Sequence, residues 1–251
     1  MGRLRLNASG AAEVLQTETG ARLVVHRGHK QLYSNAQIDD YSGLPRSQFR
    51  HTPPLTLGLR ARFSHEPASA GQPGLQGTAG FGFWNDPFMM TDPRPPMLPR
   101  ALWFFCASPP SDMKLDLDTP GCGWKAATID ALRPSVVGPA LAAPLLIPLM
   151  NIPAVYRRAW PPVQRRLRIA EAPVPGRMTD WHSYAIEWER DLARFLVDGS
   201  PVLMAPAPRG RLGLVIWCDN QYMIVKPWGR LGYGLLETGE QWLEVEDIDL
   251  R

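Results

Sequence analysis

The sequence contains few cysteines and histidines. It has three cysteines and five histidines among 251 residues. Cys106, Cys122 and Cys218 are odd in number and far apart, so we expect reduced, mostly buried thiols. No histidine spacing beyond His26 and His29 suits a metal site, and that pair is typical of a turn. The sequence also lacks a phosphate loop, a dinucleotide fingerprint and a Ser/His/Asp constellation.

The chain has a small net charge, and its first residues do not resemble an export signal. The formal net charge is +3, which is too small to indicate nucleic-acid binding by itself. The first residues, Met1 to Leu6, have neither an apolar core nor a cleavage site. We therefore expect no signal peptide and a cytoplasmic protein.

Proline, glycine and tryptophan are what the chain has in abundance. Its 26 prolines make up about 10% of the residues, against a usual ~5%, and there are 22 glycines and nine tryptophans. Such a composition predicts many turns and few long helices. Because 45% of the residues are hydrophobic, a sizeable core is available. We expect one all-β domain over residues 1–251.

Alternating hydrophobicity predicts specific strands. Residues 55–63 place Leu, Leu, Leu, Ala and Phe on one side, which is typical of a half-buried strand. Residues 182–188 put His, Tyr, Ile and Trp on one side, and a polar turn, Glu189 to Leu192, follows. A second strand, Ala193 to Val197, ends at Asp198-Gly199, a strong turn signal. Residues 181–199 therefore predict a hairpin with large aromatics on one face.

This hairpin and three further segments resemble the concanavalin A-like lectin/glucanase superfamily, and especially glycoside hydrolase family 16. The other segments are the glycine-spaced aromatic strand Thr78–Trp84, then Leu212–Trp217 and Leu243–Leu250. The similarity covers roughly residues 33–251. It implies a jelly-roll sandwich of two antiparallel sheets, whose concave face binds sugars.

Catalytic members of the family carry Glu-x-Asp-x-Glu on the strand that follows the aromatic strand. Alternation places these three carboxylates on one side, where a nucleophile and an acid/base act as a pair. The corresponding stretch here, Ala101–Ala107, contains no carboxylate. No catalytic residue can be carried over, so the resemblance favours a non-catalytic carbohydrate-binding protein.

In such a protein, aromatic rings stack on sugar faces and polar groups bind the hydroxyls. The candidate platforms are Trp84, Trp103, Trp217 and Trp228. The candidate polar residues at the rim are Asn85, Asp219 and Asn220.

One alternative is a glycoside hydrolase with relocated carboxylates. Asp112, Asp116 and Asp118 alternate with apolar residues, as on one polar face of a strand, and are the catalytic candidates, with roles unassigned. No cofactor is required by either reading. The resemblance allows a structural calcium near the terminal strand, with Asp247 or Asp249 as ligands.

Residues 134–170 form a proline-rich insertion, and helix is expected mostly within it. Residues 134–156 carry no charge but five prolines, which exclude a smooth membrane-spanning helix. Five arginines follow within residues 157–168. The segment is open to four interpretations: core packed across a sheet, a lid that makes an apolar pocket, an oligomer surface, or a peripheral membrane contact through 134–168. The second alternative function is therefore binding of an apolar ligand or a membrane surface.

Overall fold

The computed structural model describes residues 4–68, 73–87, 94–132, 149, 151–226 and 231–251, and for Leu231 it describes the backbone. Two seven-stranded sheets dominate it. The first sheet contains β1 (Arg5–Ser9), β4 (Asn35–Asp39), β6 (Thr78–Trp84), β7 (Arg100–Ala107), β8 (Gly123–Asp130), β9 (Ala170–Pro173) and β13 (Gly213–Asp219). The second contains β2 (Ala12–Gln16), β3 (Gly20–Val25), β5 (Leu55–Phe63), β10 (His182–Trp188), β11 (Leu192–Val197), β12 (Ser200–Pro206) and β16 (Gln241–Leu250).

The strand order is β1-β4-β13-β6-β7-β8-β9 in the first sheet and β12-β11-β10-β5-β16-β3-β2 in the second. Every strand pair in both sheets is antiparallel. A short hairpin, β14 (Gln221–Val225) and β15 (Leu231–Leu235), leaves the first sheet directly after β13. The predicted two-sheet antiparallel sandwich is confirmed.

The main core lies between the two sheets, where their facing side chains are buried. The first sheet contributes Phe81, Phe104 and Ile216, and the second contributes Leu59 and Phe195. Aromatic rings interlock there, since Phe104 packs edge-on against Phe195 with centroids 5.3 Å apart. This burial is the main source of stability for a sandwich of this kind.

The segments with clean alternation fold as predicted. β5 spans Leu55–Phe63 and buries every second side chain from Leu57 onward. β10 and β11 form the predicted hairpin, and Asp198 and Gly199 both have positive φ in the turn that follows. The terminal strand β16 spans Gln241–Leu250 and includes the segment Leu243–Leu250 named in the resemblance.

The predicted strand over residues 112–118 is wrong. Asp112 forms one isolated bridge to Ile224, and the residues after it belong to no strand. Met113, Leu115 and Leu117 alternate because each packs inward against a hydrophobic cluster, while the segment as a whole runs as a loop.

An α-helix, α1 (Pro153–Arg166), lies in the second half of the insertion, as expected. It begins with a proline at its first position, where no donor is lost. Tyr156 and Trp160 form its buried side and pack with Ile169, Leu115 and Leu117. Within the described ranges, none of the helices combines the length and the apolar character needed to cross a bilayer. Residues 134–148 and 150 of the insertion lie outside the described residues.

Candidate functional site

The side of the first sheet that points away from the core carries a second hydrophobic cluster, which we call the aromatic face. The strand register defines it. One row across the sheet joins Trp217, Gly80, Phe105 and Lys125, and the next joins Val215, Gly82, Trp103 and Ala127. Trp84, Ala101 and Ala107 complete the face on β6 and β7. The strand β7 therefore presents Ala101, Trp103, Phe105 and Ala107 on this face, and none of these side chains carries a carboxylate.

Two glycines on β6 make room for the large rings beside them. A β-carbon at Gly80 would lie 2.2 Å from the carbonyl oxygen of Phe104 and 3.0 Å from the indole of Trp217. A β-carbon at Gly82 would lie 2.8 Å from the Cβ of Trp103. The glycine spacing therefore lets the neighbouring strands and the indole of Trp217 approach β6 closely.

Three tryptophans pack together at the centre of the aromatic face. The rings of Trp84 and Trp217 are parallel, with centroids 6.1 Å apart, and Trp103 lies 5.7 Å from each of them. Trp84 is 2% exposed and Trp217 is 4% exposed, whereas Trp103 is only partly buried. Trp103 is therefore the member of the three that offers ring surface to a ligand without a rearrangement.

The indole donors of the two buried tryptophans are satisfied within the face. Trp84 Nε1 donates to the Tyr41 hydroxyl (2.8 Å), and Trp217 Nε1 donates to Thr78 Oγ1 (2.9 Å). Because buried indoles need partners, these bonds fix the ring positions.

A row of buried polar side chains on β4 borders the three tryptophans. Asp39 accepts hydrogen bonds from Asn7 Nδ2 (2.6 Å), Gln37 Nε2 (2.9 Å) and Ser42 Oγ (2.7 Å) on one oxygen. Its other oxygen accepts from the backbone N–H groups of Tyr41 and Ser42. The carboxylate of Asp39 is therefore saturated by the protein.

Asn35, on the same side of β4, is not saturated. The residue is buried, and its Oδ1 accepts no hydrogen bond from any group of the described residues. Its Nδ2 makes one long contact, 3.4 Å, to Gln37 Oε1. A buried acceptor without a donor is costly, so this position favours a hydroxyl donor from a ligand or a water molecule.

Asp219 is the cross-strand partner of Asn35 and is fully buried. Its Oδ1 accepts from Thr78 Oγ1 (2.8 Å), Thr78 N (3.2 Å) and Gln221 N (3.1 Å), and its Oδ2 accepts from the Tyr33 hydroxyl (3.2 Å). Burial disfavours the charged form and raises the pKa of Asp219 to about 7, although these hydrogen bonds oppose the rise. Burial also raises the pKa of Tyr33. Asp219 therefore changes protonation near neutral pH.

A buried ion pair lies at the opposite side of the aromatic face. Lys125 Nζ contacts Glu171 Oε1 at 3.0 Å, donates to the Pro120 carbonyl (2.9 Å) and lies 5.1 Å from the Phe105 ring centroid. Burial raises the pKa of Glu171, and the adjacent Lys125 opposes that rise. The pair holds β8 to β9 and places a cation beside the aromatic rings.

One end of the aromatic face is closed by the loop after β4. Tyr41 and Phe49 pack there with ring centroids 4.9 Å apart. Arg46 donates to the carbonyls of Asn85 (2.8 Å) and Asp86 (2.6 Å), while Arg94 pairs with Asp86 and donates to the Leu44 carbonyl (2.9 Å). The two arginines tie this loop to the β6–β7 connection.

The other end is covered by the loop that contains the three catalytic candidates of the hydrolase alternative. Asp116 accepts from the backbone N–H groups of Asp118 (2.8 Å) and Thr119 (3.2 Å) and from Gln164 Nε2 of α1 (2.5 Å). Asp112 pairs with Lys226, and Asp118 is exposed. The structure thus uses Asp116 and Asp112 to hold the loop to α1 and to the segment after β14.

The predicted rim amides are buried and occupied. Asn85 accepts from Arg100 N (2.9 Å) and donates to the Leu98 carbonyl (3.0 Å). Asn220 accepts from Ser34 N (2.9 Å) and donates to the carbonyls of Leu32 (3.1 Å) and Leu236 (3.0 Å). Both amides join strand ends within the protein. Trp228 lies outside the described residues.

Structural calcium at the terminal strand gains no support from the geometry. Asp247 is exposed at a bulge of β16, and Asp249 pairs with Arg251 at 2.5 Å. In the part of the chain that the structure describes, no three His, Cys, Asp or Glu side chains are grouped to hold a metal ion. A calcium site at Asp247 and Asp249 stays a prediction.

Sequence reasoning missed most of the polar border of the aromatic face. Asn35, Gln37 and Asp39 alternate with the core residues Ala36 and Ile38, and this alternation was visible in the sequence. What the sequence did not contain was their proximity to Asp219 and Thr78, which depends on the pairing of β4, β13 and β6.

Several solved structures are distantly similar to this chain. The chain is similar to a Crh5 transglycosylase solved with NAG (11% identity, 98% of this chain, 76% of that one, TM-score 0.46). It is also similar to a GlcNAcα1-4Gal-releasing endo-β-galactosidase from Clostridium perfringens (12% identity, 97% and 57%, TM-score 0.49). A third is the carbohydrate-binding module CBM66 from Bacillus subtilis (9% identity, 98% and 94%, TM-score 0.39).

All three TM-scores are below 0.5, so these likenesses are too distant to assign a function. No family model matches the chain, and no curated protein matches it in sequence.

Proposed function

We propose that this protein is a non-catalytic carbohydrate-binding protein whose site is the aromatic face. One observation carries the proposal: three packed tryptophans lie on one face of the sheet beside a row of buried amide and carboxyl groups that includes an unsatisfied acceptor. Indole rings bind the apolar face of a sugar ring, while amide and carboxyl oxygens accept bonds from its hydroxyls.

Within this site, Trp103 is the proposed stacking platform, because it is the partly exposed member of the tryptophan cluster. Trp84 and Trp217 each pack against it, with ring centroids 5.7 Å away, and restrict its ring orientation. Asn35 and Asp219 are the proposed hydroxyl-binding groups. A ligand that reaches them has to enter past Tyr33, whose side chain bonds Asp219 and is partly exposed.

The non-catalytic part of the proposal rests on β7. Its positions on the aromatic face are Ala101, Trp103, Phe105 and Ala107, none of which can act as nucleophile or general acid in glycoside hydrolysis. The hydrolase alternative would need Asp112, Asp116 and Asp118 instead. Asp116 is held by three loop and helix donors and Asp112 by Lys226, so neither is poised for proton transfer in this arrangement.

Titration calorimetry with laminarihexaose, cellohexaose and chitohexaose tests the binding site. At least one of these probes should bind, and Trp103→Ala should weaken its binding at least tenfold, or about 1.4 kcal/mol. Trp242→Ala is the matched control, because Trp242 lies on the second sheet under Arg22. If neither Trp103→Ala nor Trp84→Ala changes the affinity for a probe that binds, the site is elsewhere.

Prolonged incubation with the same probes tests the absence of catalysis. We expect no new reducing ends by mass spectrometry after the probe has been bound for a day. Cleavage that disappears in Asp116→Asn would establish the hydrolase alternative in its place.

A further inference from the structure

The outward side of α1 is strongly basic. Arg157, Arg158, Arg165 and Arg166 are all exposed, whereas Tyr156 and Trp160 on the inward side are buried. Arg165 and Arg166 occupy the last turn, where the helix dipole favours cations. Arg157 and Arg158 lie in the second turn and gain nothing from the dipole. Helix stability therefore does not explain the first pair.

None of the four arginines forms an ion pair with any group in the described ranges. Several arginines on the sheets are paired, as Arg60 is with Glu246 and Arg100 with Asp130. Between Asp130 and Glu171 the sequence contains six arginines and no acidic residue. The surface therefore favours an anionic partner.

Three aliphatic side chains are exposed in the first turn of α1 and in the residues just before it. Leu149 is 50% exposed, Ile152 is 52% exposed and Val155 is 36% exposed. They are spaced three residues apart, and backbone bonds from Ile152 N to Leu149 O (3.1 Å) and from Tyr156 N to Ile152 O (3.0 Å) join Leu149 and Ile152 to the first turn of α1. Exposed aliphatic residues grouped beside cations are typical of segments that lie in a membrane interface.

We propose that α1 docks on an anionic membrane surface, with Leu149, Ile152 and Val155 at the acyl boundary and Arg157 and Arg158 on lipid phosphates. A nucleic acid would use the arginines but would leave the three aliphatic side chains in water. A second copy of this chain would bring like charges together. An anionic bilayer satisfies both features, since its head groups take the arginines and its interior takes the aliphatic tips.

Vesicle flotation of the full chain tests the docking. The protein should float with phosphatidylcholine vesicles that contain 30% phosphatidylglycerol, and should remain unbound with pure phosphatidylcholine. Arg157→Gln/Arg158→Gln should weaken binding about 25-fold, at about fivefold per arginine. Ile152→Ser should also weaken it, and 0.5 M NaCl should weaken wild-type binding because exposed charges are screened. Arg157, Arg158 and Ile152 are all exposed, so the variants should keep the thermal midpoint of the wild type.

The matched control is Arg27→Gln/Arg50→Gln, which removes the same charge from two exposed arginines outside α1. An equal loss in the control would show general electrostatic attraction and overturn the proposal. The proposal would also be overturned if the wild-type protein did not bind anionic vesicles, or if it bound neutral vesicles as well. A dimer that dissociates in Ile152→Ser, seen by analytical ultracentrifugation without vesicle binding, would identify a second copy as the occupant. Each outcome is independent of glycan binding at the aromatic face.

Discussion

At the scale of single residues, the most informative group is Asp219. It is fully buried, and its pKa is raised to about 7 from an ordinary value of 3.8. Between these two pH values the folded protein holds a proton that the unfolded chain has already released. The free energy of unfolding therefore falls as the pH rises through this window.

Asp219→Asn should remove this dependence. The new Oδ1 still accepts from Thr78 and Gln221, while its Nδ2 faces the Tyr33 oxygen. We expect the variant to gain about 2–3 kcal/mol over the wild type between pH 5 and pH 8. Urea denaturation at several pH values measures this. A stability difference that stays constant with pH would show that Asp219 is charged throughout.

Gly80 is a second residue whose identity the packing dictates. A β-carbon there meets the backbone of β7 and the ring of Trp217, so Gly80→Ala should cost about 1–3 kcal/mol. Gly58 on β5 is the matched control, because no atom lies within 4 Å of its β-carbon position. Gly58→Ala should be neutral or stabilise by up to about 1 kcal/mol. Thermal and urea unfolding of both variants measure the contrast, and equal costs would mean that the close approach at Gly80 is absent.

At the scale of elements, alternation predicts a strand only where a neighbouring strand can pair with it. β5 and β10 alternate and pair with each other over seven residues. Residues 112–118 alternate equally well, but their apolar side chains pack on Tyr156, Trp160 and the aromatic face. Both segments show the same alternation, because the pattern depends only on which side of a segment is buried. It does not show which part of the protein covers that side.

The loop at Asp116 gives an element-scale prediction. Asp116 accepts from two loop amides and from Gln164, so Asp116→Ala should cost about 1–3 kcal/mol and loosen the loop from α1. Asp118→Ala changes an exposed side chain of the same loop and should stay within about 0.5 kcal/mol. Urea unfolding gives the two values. If Asp118→Ala proves the costlier change, Asp116 does not hold the loop.

At the scale of the whole molecule, the sandwich and the aromatic strand β6 followed from the sequence, whereas the composition of the site followed only in part. Trp84, Trp103 and Trp217 were singled out, and the fold does bring them together. Asn85 and Asn220 were predicted at the rim because of their residue type. In the structure their side-chain amides donate to backbone carbonyls near strand ends. The polar row of Asn35, Gln37 and Asp39 comes from a strand about 180 residues before Asp219, and only the register of β4 with β13 connects them.

The central proposal is that sugars bind on the aromatic face at Trp103. It is tested most directly by indole N–H chemical shifts of protein labelled with ¹⁵N-tryptophan, titrated with the oligosaccharide that binds in calorimetry. The chain has nine tryptophans, so each signal can be assigned by substitution. The Trp103 signal should move most, those of its neighbours Trp84 and Trp217 should move less, and those of Trp181 and Trp242 beside Arg62 should stay fixed. Shifts at Trp181 or Trp242 with an unmoved Trp103 signal would contradict it.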